Sequence, residues 1–271
     1  HGDFWDHLTF SELRGSDMLF CCVDNFEARI RCNTLCLLAR VDFINIGIDS
    51  RFALVELFPF SRAPFAGCFE CNLPDSVYRR ISERYSCGHL RKLSFVEKKI
   101  PTTIVTSTTA ASFAVSLGLR LGTHDDEPIA RRLYIDTIGG SLTRIILGRI
   151  EGCPCCGRYP DEPLLVASRR EIQEWPTDWP SDPTVVTSEP ILVGYRVECK
   201  ETVVFENASK FDSEFPATVV NDPGAVELEI RDQFSIAELG RRFSGRSMPC
   251  KFAVVLGAGK TLVCEFRETL A

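Results

Sequence analysis

The sequence predicts an α/β fold followed by a smaller α+β domain. Three observations carry this prediction. Residues 17–48 have the pattern of a strand, a helix and a second strand. Residues 158–190 are rich in proline and tryptophan, which is typical of a linker. Residues 191–271 alternate short β-rich runs with one helical segment. We therefore expect an α/β domain over residues 1–157, a linker over 158–190 and a β-rich domain over 191–271.

The first strand is predicted over Asp17–Val23, a short apolar run that delivers Asp24 at its carboxyl end. Helical spacing of apolar residues follows over Phe26–Arg40, and a second strand over Val41–Ile48. A strand, helix and strand in this order imply a right-handed crossover and a largely parallel sheet. Open α/β sheets bind ligands at the carboxyl ends of their strands, so Asp24 is a candidate site residue.

The rest of the first domain divides into a strand, a charged surface segment, a helix and a hairpin. The expected ranges are Ala53–Phe60 for the strand, Cys71–Lys99 for the surface segment, Pro101–Leu121 for the helix, and Arg132–Ile135 with Ser141–Leu147 for the hairpin. The helix is rich in Thr, Ser and Ala, and we expect it to pack closely through these small side chains.

The tail contains five short β-rich runs and a helix that begins at Ser235. The Ser235 hydroxyl is positioned to cap this helix, and Glu238 follows three residues later, as in a capping box. Strands, one helix and further strands predict an α+β module of β-grasp type.

Composition excludes several classes of protein. The chain has 271 residues, of which 45% are hydrophobic, and a formal net charge of -6, which disfavours a nucleic-acid partner. Its most apolar stretch, Ser107–Leu121, is interrupted by Ser, Thr and Gly, so we expect no membrane span. The first residues do not resemble a secretory signal. Thirteen cysteines then indicate metal ligands, buried thiols and reactive thiols in a reducing, cytoplasmic setting.

Two C-x-x-C pairs are the strongest local signal. Cys68 and Cys71 form the first pair, and Cys153 and Cys156 form the second, more than eighty residues later. Four thiolates of this spacing can close a tetrahedral structural zinc site with no open coordination position. Buried unligated cysteines or a redox pair are the alternatives. Cys155 could replace Cys153 as a ligand.

The residues after the first strand resemble a known motif. Asp24-Asn25-Phe26-Glu27-Ala28-Arg29, followed by Asn33 and Cys36, has the pattern D-N-x-x-A-R-x-x-x-N-x-x-C. This run is similar to that of the ThiF/MoeB/HesA-type adenylating enzymes, and most like the activating enzyme for ubiquitin-fold modifier. The resemblance implies that Asp24 lies beside the ATP phosphates and their Mg²⁺ and that Asn25 contacts the nucleotide. An Asp-Asn pair after a strand is also commonly a helix cap.

The later motifs follow in the order that this family has. In its members a reactive cysteine lies between the two C-x-x-C pairs and before a P-T-T triplet, which is Pro101-Thr102-Thr103 here. The resemblance therefore implies that Cys87 forms a thioester. Nearby basic residues can lower the pKa of its thiol and favour the nucleophilic thiolate. An unreactive loop cysteine is the alternative.

The resemblance covers about Ser11–Gly157, the second half of a Rossmann-like ThiF adenylation domain. The glycine-rich nucleotide loop of the family precedes this region and does not appear here, so we expect the chain alone to bind ATP poorly. An amino-terminal half or a partner chain would supply it. By resemblance, the enzyme adenylates the terminal glycine of a ubiquitin-like protein with ATP and Mg²⁺, transfers it to Cys87 and passes it to a conjugating enzyme, and it pairs as a dimer. The tail would recruit the conjugating enzyme.

Two other functions remain open. A sulfur-carrier-protein adenylyltransferase shares the first half-reaction and ends in sulfur transfer. A zinc-stapled scaffold subunit of a heterodimeric activating enzyme would keep the fold without catalysis. Retention of Asp24, Asn25 and Cys87 argues against the scaffold.

Overall fold

The computed structural model describes residues 8–64, 66–78, 102–123, 128–159, 164–169, 183–196, 201–207, 226–243, 250–257 and 260–266. The chain divides into two compact units, His1–Tyr159 and Pro160–Ala271. Each unit is built on its own sheet.

The sheet of the first unit has the strand order β1-β2-β3-β4-β5. Its elements are, in chain order, α1 (Phe10–Arg14), β1 (Met18–Cys21), α2 (Phe26–Ala39), β2 (Asp42–Ile48), β3 (Phe52–Phe58), α3 (Ile104–Gly122), β4 (Arg131–Asp136) and β5 (Ser141–Ile146). A 3₁₀ turn, Phe69–Asn72, carries the first cysteine pair. The sequence placed each of these strands and both longer helices within a few residues of their observed bounds.

The strand-helix-strand prediction is confirmed. β1 and β2 pair in parallel, with Met18 opposite Asp42 and Cys21 opposite Asn45. Helix α2 connects them and ends at Arg40, which takes the left-handed conformation at φ 57°. Asp24 therefore follows the carboxyl end of β1, as the pattern of the sequence predicts.

The prediction of a largely parallel sheet is wrong. β2 pairs antiparallel with β3, β3 with β4, and β4 with β5, so among the described strands of this sheet β1 and β2 form the one parallel pair. The connection from β2 to β3 is a tight turn in which the Asp49 carboxylate accepts from the amides of Arg51 and Phe52, both at 2.7 Å. A turn of this length cannot hold a crossover helix, so the two strands must run in opposite directions.

Helix α3 packs on one face of the sheet through small side chains, as expected. Buried Ala110 and Ala114 belong to the same core cluster as Ile44 of β2 and Val55 of β3. Thr103 caps the helix, because its hydroxyl accepts from the Thr106 amide at 3.2 Å. By length and composition α3 is the one helix of the described residues that is able to cross a membrane, and a core helix of this kind passes the same test.

The second unit contains β6 (Leu164–Arg169), β7 (Thr184–Arg196), β8 (Glu201–Asn207), β9 (Val226–Ser235), α4 (Ile236–Phe243), β10 (Phe252–Gly257) and β11 (Lys260–Phe266). Its sheet has the order β6-β11-β10-β7-β8, and β9 pairs with β7. β6 and β11 are parallel, and the other pairs are antiparallel. The range 158–190 that the sequence indicated as a linker contains β6 and the first part of β7.

The cap of α4 is confirmed, since the Ser235 hydroxyl accepts from the Glu238 amide at 3.1 Å. The Glu238 carboxylate pairs with Arg231 of β9, at 3.0 Å. This ion pair joins the helix to the strand that precedes it. The β-grasp assignment of this unit stays a prediction.

Candidate metal centre and the carboxyl end of strand β1

The two C-x-x-C pairs meet in the first unit. Cys68, Cys71, Cys153 and Cys156 are buried, and their sulfur atoms all lie within 4.8 Å of one another. The Sγ atoms are 3.8 Å apart for Cys68 and Cys71, 3.6 Å for Cys68 and Cys153, and 3.4 Å for Cys71 and Cys156. Residues that are 85 positions apart in the chain thus form one cluster.

The geometry of the cluster fits a tetrahedral metal ion. Zinc–sulfur bonds of about 2.3 Å place neighbouring sulfurs at the corners of a tetrahedron about 3.8 Å apart. The observed separations approach this value, and the four donors are thiols, the ligands that structural zinc prefers. The four cysteines could therefore hold a metal ion.

Cys155 lies beside the cluster, and its sulfur interacts with Cys68 as well as with α2. Its sulfur accepts from the Asn33 amide at 3.3 Å and lies 3.5 Å from the Thr34 hydroxyl. Both partners belong to α2, and Cys155 is fully buried against them. Of the two candidates for the third ligand, Cys153 is the one whose sulfur lies within the four-cysteine cluster.

Asn33 is the point where α2 contacts both cysteine pairs. Its side chain has no exposed surface. The carbonyl oxygen accepts from the Phe69 amide, between Cys68 and Cys71, at 3.0 Å. The amide nitrogen donates to Cys155, between Cys153 and Cys156. One buried side chain therefore holds the two pairs against the same helix.

A cavity of about 360 Å³ opens next to the cluster. Its lining includes Cys71, Cys153, Glu70 and Tyr78. The Tyr78 hydroxyl donates to the Glu70 carboxylate at 2.8 Å. Burial, together with the nearby negative charge of Glu70, raises the pKa of Tyr78. Tyr78 is therefore a neutral hydrogen-bond donor in the lining of this cavity.

Asp24 and Asn25 lie together at the carboxyl end of β1, and both are exposed. The Asn25 side chain caps α2, because its oxygen accepts from the Ala28 amide at 2.8 Å. Its nitrogen donates to the Asp24 carboxylate at 3.2 Å. The cap that the sequence left as an alternative is thus present, and it holds the Asp24 carboxylate at the surface.

Arg29 ties this edge of the sheet together. Its guanidinium donates to the backbone carbonyl of Val23, to that of Ile46 at 2.6 Å and to the Asn45 side chain at 2.5 Å. These acceptors lie after β1 and on β2. Arg29 therefore fixes the segment that carries Asp24 relative to the neighbouring strand.

A buried polar network extends from Arg29 across the sheet, and the sequence interpretation missed it. Asn45 donates to Glu56 at 2.7 Å, and Glu56 accepts twice from Arg132, at 2.8 and 2.6 Å. Glu56 has no exposed surface. The signal available in the sequence was the presence of Asn45 and Glu56 inside otherwise apolar strands.

The remaining cysteines of the described part of this unit behave mostly as small buried side chains. Cys21, Cys32 and Cys36 are buried, whereas Cys22 is exposed. A hydrogen bond from Cys32 lowers the pKa of Cys21 to about 7. Cys87, the predicted thioester residue, lies outside the described residues.

Comparison with known proteins gives solved structures alone. No protein-family model and no curated protein matches the sequence. The structure of E. coli MccB is 21% identical and superposes with a TM-score of 0.42 over 58% of this chain and 44% of that chain. E. coli MccB with ATP is 21% identical, with a TM-score of 0.41 over 56% and 43%. The microcin C7 biosynthetic enzyme MccB with N-formylated MccA is 20% identical, with a TM-score of 0.40 over 56% and 45%. The chain spans less than half the length of these proteins.

Proposed function

We propose that the chain is the carboxy-terminal part of an enzyme that activates a ubiquitin-like protein by ATP-dependent adenylation of its terminal glycine. One observation carries the proposal. An exposed carboxylate, Asp24, follows the carboxyl end of a parallel strand and directly precedes the capping residue of α2, the helix that anchors a four-cysteine cluster. The strand end and the cysteine centre therefore belong to one folded unit.

The contacts of the D-N-x-x-A-R-x-x-x-N motif support this proposal by dividing its residues into two groups. Arg29 and Asn33 are engaged with the backbone and with the cysteine pairs, so their task is structural. Asn25 caps the helix and orients Asp24. The Asp24 carboxylate is left facing solvent, where an oxygen ligand for Mg²⁺ is required. This Mg²⁺, when bound with ATP, neutralises the charge that develops on pyrophosphate.

The proposal assigns zinc a structural task. Four thiolates complete a tetrahedral site, so no coordination position remains for a substrate. The metal would instead join Cys68 and Cys71 to Cys153 and Cys156 and hold the intervening chain in a closed loop. ATP and Mg²⁺ would bind together with the amino-terminal half of the adenylation domain or a partner chain.

Cys87 is proposed as the residue that receives the activated carboxyl group. Its thiolate would attack the acyl-adenylate, so that a carbon–sulfur bond forms, the carbon–oxygen bond to phosphate breaks and AMP leaves. The thioester would then pass to a conjugating enzyme, which the second unit is proposed to recruit. The assignment of Cys87 rests on the order of motifs in the sequence. We also propose a dimeric state from the family resemblance and a cytoplasmic location from the cysteine content.

Adenylation is tested by exchange of labelled pyrophosphate into ATP. The protein, expressed from its complete reading frame, is incubated with Mg²⁺ and a panel of ubiquitin-like proteins that end in glycine. We expect exchange with one of them and a loss of at least about 100-fold in Asp24→Asn, because a metal ligand is removed. Asp17→Asn is the matched control, since Asp17 is exposed at the opposite end of the same strand. Equal rates in the two variants would contradict the role of Asp24.

Thioester formation is tested by a thiol-sensitive adduct on a gel. Cys87→Ser should keep pyrophosphate exchange and lose the adduct, whereas Cys22→Ser, at an exposed cysteine, should keep both. Exchange without any adduct, together with sulfur transfer to the carrier, would favour the sulfur-carrier adenylyltransferase. Absence of exchange with every protein tested would favour the scaffold subunit.

A further inference from the structure

We infer that Asn33 and Cys155 form a clamp that positions the two cysteine pairs around their metal, and that Cys155 is not a ligand. This inference rests on the metal binding proposed above. It concerns residues of this chain toward that ion, and it assigns a task to the fifth cysteine of the region.

The first step concerns Asn33. Its side chain is fully buried on α2 and hydrogen-bonds to a residue that lies between the two cysteines of each pair, Phe69 in the first and Cys155 in the second. Buried amides that lose a partner carry a desolvation penalty, so these two bonds restrict the positions that the pairs can take. Asn33 thus fixes the distance between the chain segments that supply the ligands.

The second step concerns the hydrogen-bond contacts of the Cys155 sulfur. The Thr34 hydroxyl lies 3.1 Å from the Ile30 carbonyl and is placed to donate to it. Its oxygen is then free to accept from the thiol of Cys155, 3.5 Å away. The Asn33 amide donates to the same sulfur. These two contacts hold the Cys155 sulfur against α2.

The third step concerns the ion itself. Ligands of a metal are commonly oriented by outer hydrogen bonds, and removing such a partner weakens metal binding by about 10- to 100-fold. In this chain Cys155 lies between two of the proposed ligands, Cys153 and Cys156. The bonds that hold Cys155 therefore orient both neighbouring thiolates, and metal retention should depend on them.

The inference is tested by metal release and by cobalt spectra of the protein expressed from its complete reading frame. Zinc is transferred to a chromophoric chelator, and Co²⁺ is substituted to count sulfur ligands from its charge-transfer and ligand-field bands. Cys155→Ala and Asn33→Leu should keep one ion per chain and a four-sulfur spectrum, and should lower metal affinity by about 10- to 100-fold. Cys153→Ala should lose the four-sulfur spectrum.

Cys36→Ala is the matched control, because Cys36 is a fully buried cysteine of the same helix outside the cluster. It should retain zinc as the unsubstituted protein does. Should Asn33→Leu fail to fold, Cys155→Ala carries the test, because it removes a single sulfur atom.

Three results would overturn the inference. They are affinities for Cys155→Ala and Asn33→Leu equal to that of Cys36→Ala, a three-sulfur spectrum in Cys155→Ala, and a retained four-sulfur spectrum in Cys153→Ala. An unsubstituted protein without bound metal would instead refute the metal site of the proposed function, and the clamp with it.

Discussion

Glu56 is a carboxylate with no exposed surface in the middle of β3, and its two oxygens face different partners. One accepts from Asn45, and the other accepts from Arg132. A flip of the Asn45 side-chain amide would break the hydrogen bond that its oxygen accepts from Arg29. Each partner therefore fixes the orientation of the next. Through Arg29 the polar network reaches the segment that carries Asp24.

Replacing Glu56 by Gln should destabilise the first unit by about 2 kcal/mol. A glutamine presents its amide group either to the Asn45 amide or to the Arg132 guanidinium, so one pair of donors is forced together. Urea-induced unfolding at pH 7 measures the effect. Glu151→Gln is the matched control, because Glu151 is exposed. Equal unfolding free energies for the two variants would show that the polar network around Glu56 contributes nothing to stability.

The sequence predicts individual residues unevenly. It identified the four cysteines from spacing alone, because two-residue spacing is a property of the chain that metal geometry demands. It left Cys155 open as a ligand, because three cysteines in four positions have the same spacing whichever two bind. Its separation from the cluster depends on Asn33 and Thr34, which are more than 120 positions away in the chain.

Among the elements, α3 depends on small residues where it crosses the sheet. A side chain at Gly118 would begin 2.9 Å from Met18 and 3.0 Å from Phe20, both on β1. Gly122, one turn later, has nothing within 4 Å. Helix α3 therefore packs closely against β1 at Gly118, whereas there is room for a side chain at Gly122.

Gly118→Val should lower the free energy of unfolding by about 1 to 3 kcal/mol through overpacking. Gly122→Val changes the same residue type in the same helix and should lie within about 0.5 kcal/mol of the unsubstituted protein. Thermal and urea unfolding of the two variants provide the comparison. A larger loss in Gly122→Val would contradict the close packing described at Gly118.

The β4–β5 hairpin is held by Asp136. Its carboxylate accepts from the amides of Ile138 and Gly139 in the turn, at 3.1 and 2.8 Å, and pairs with Arg51 through two bonds. The guanidinium of Arg51 holds the pKa of Asp136 well below its ordinary value. A carboxyl whose pKa is depressed in the folded state stabilises the fold above its unfolded pKa, which is about 3.9, and loses this contribution as the pH falls toward the folded pKa.

Asp136→Asn should therefore lower the unfolding midpoint at pH 7, and the difference from the unsubstituted protein should shrink as the pH is lowered from about 5 toward 2. Urea unfolding at several pH values measures it. Asp17→Asn, at an exposed aspartate of the same unit, should show no such convergence. If the unfolding midpoints of Asp136→Asn and the unsubstituted protein differ by the same amount at every pH, Asp136 stabilises the fold through the shape of its side chain and not through its charge.

The order of elements was predictable, whereas the direction of most strands was not. Apolar runs and helical spacing placed β1, α2 and β2, and their short links made the parallel pair the natural outcome. The direction of β3 was predicted wrongly because the parallel pairing of β1 and β2 was extended to the whole sheet, and the short turn between β2 and β3 was not considered. Asp49 is a sequence signal for a tight turn at this point, because an aspartate side chain can accept hydrogen bonds from the backbone amides that follow it, here those of Arg51 and Phe52.

In the molecule as a whole, the cysteine cluster that could hold a metal ion lies in one of two compact units. The four cysteines all belong to the unit His1–Tyr159. From composition the sequence predicted a linker over residues 158–190 that contains the domain boundary, and the two units of the structure are His1–Tyr159 and Pro160–Ala271. The topology of the second sheet was not predictable, because β6 pairs in parallel with β11 about a hundred residues later, and short strands do not record such partners.

Removal of the metal should destabilise the first unit by about 4 kcal/mol and leave the second unit unchanged. A bound ion would link Cys68 to Cys153 across 85 positions, and a cross-link over a loop of this length removes conformational entropy from the unfolded chain, which raises the free energy of that chain by about this amount. Hydrogen exchange, followed peptide by peptide with and without a strong zinc chelator, separates the two units within one chain. We expect faster exchange in α2 and in the segments around both cysteine pairs, and no change in β10 and β11.

Cys71→Ser should reproduce the exchange pattern of the chelated protein without a chelator, whereas Cys250→Ser, at a buried cysteine of the second unit, should leave α2 protected. The comparison separates loss of a ligand from loss of a buried thiol, because both substitutions place a hydroxyl in the protein interior. If chelation and Cys71→Ser leave α2 protected, the cysteine cluster does not hold the first unit together, and the other contacts of α2, among them the hydrogen bonds of Arg29, are sufficient to fix it.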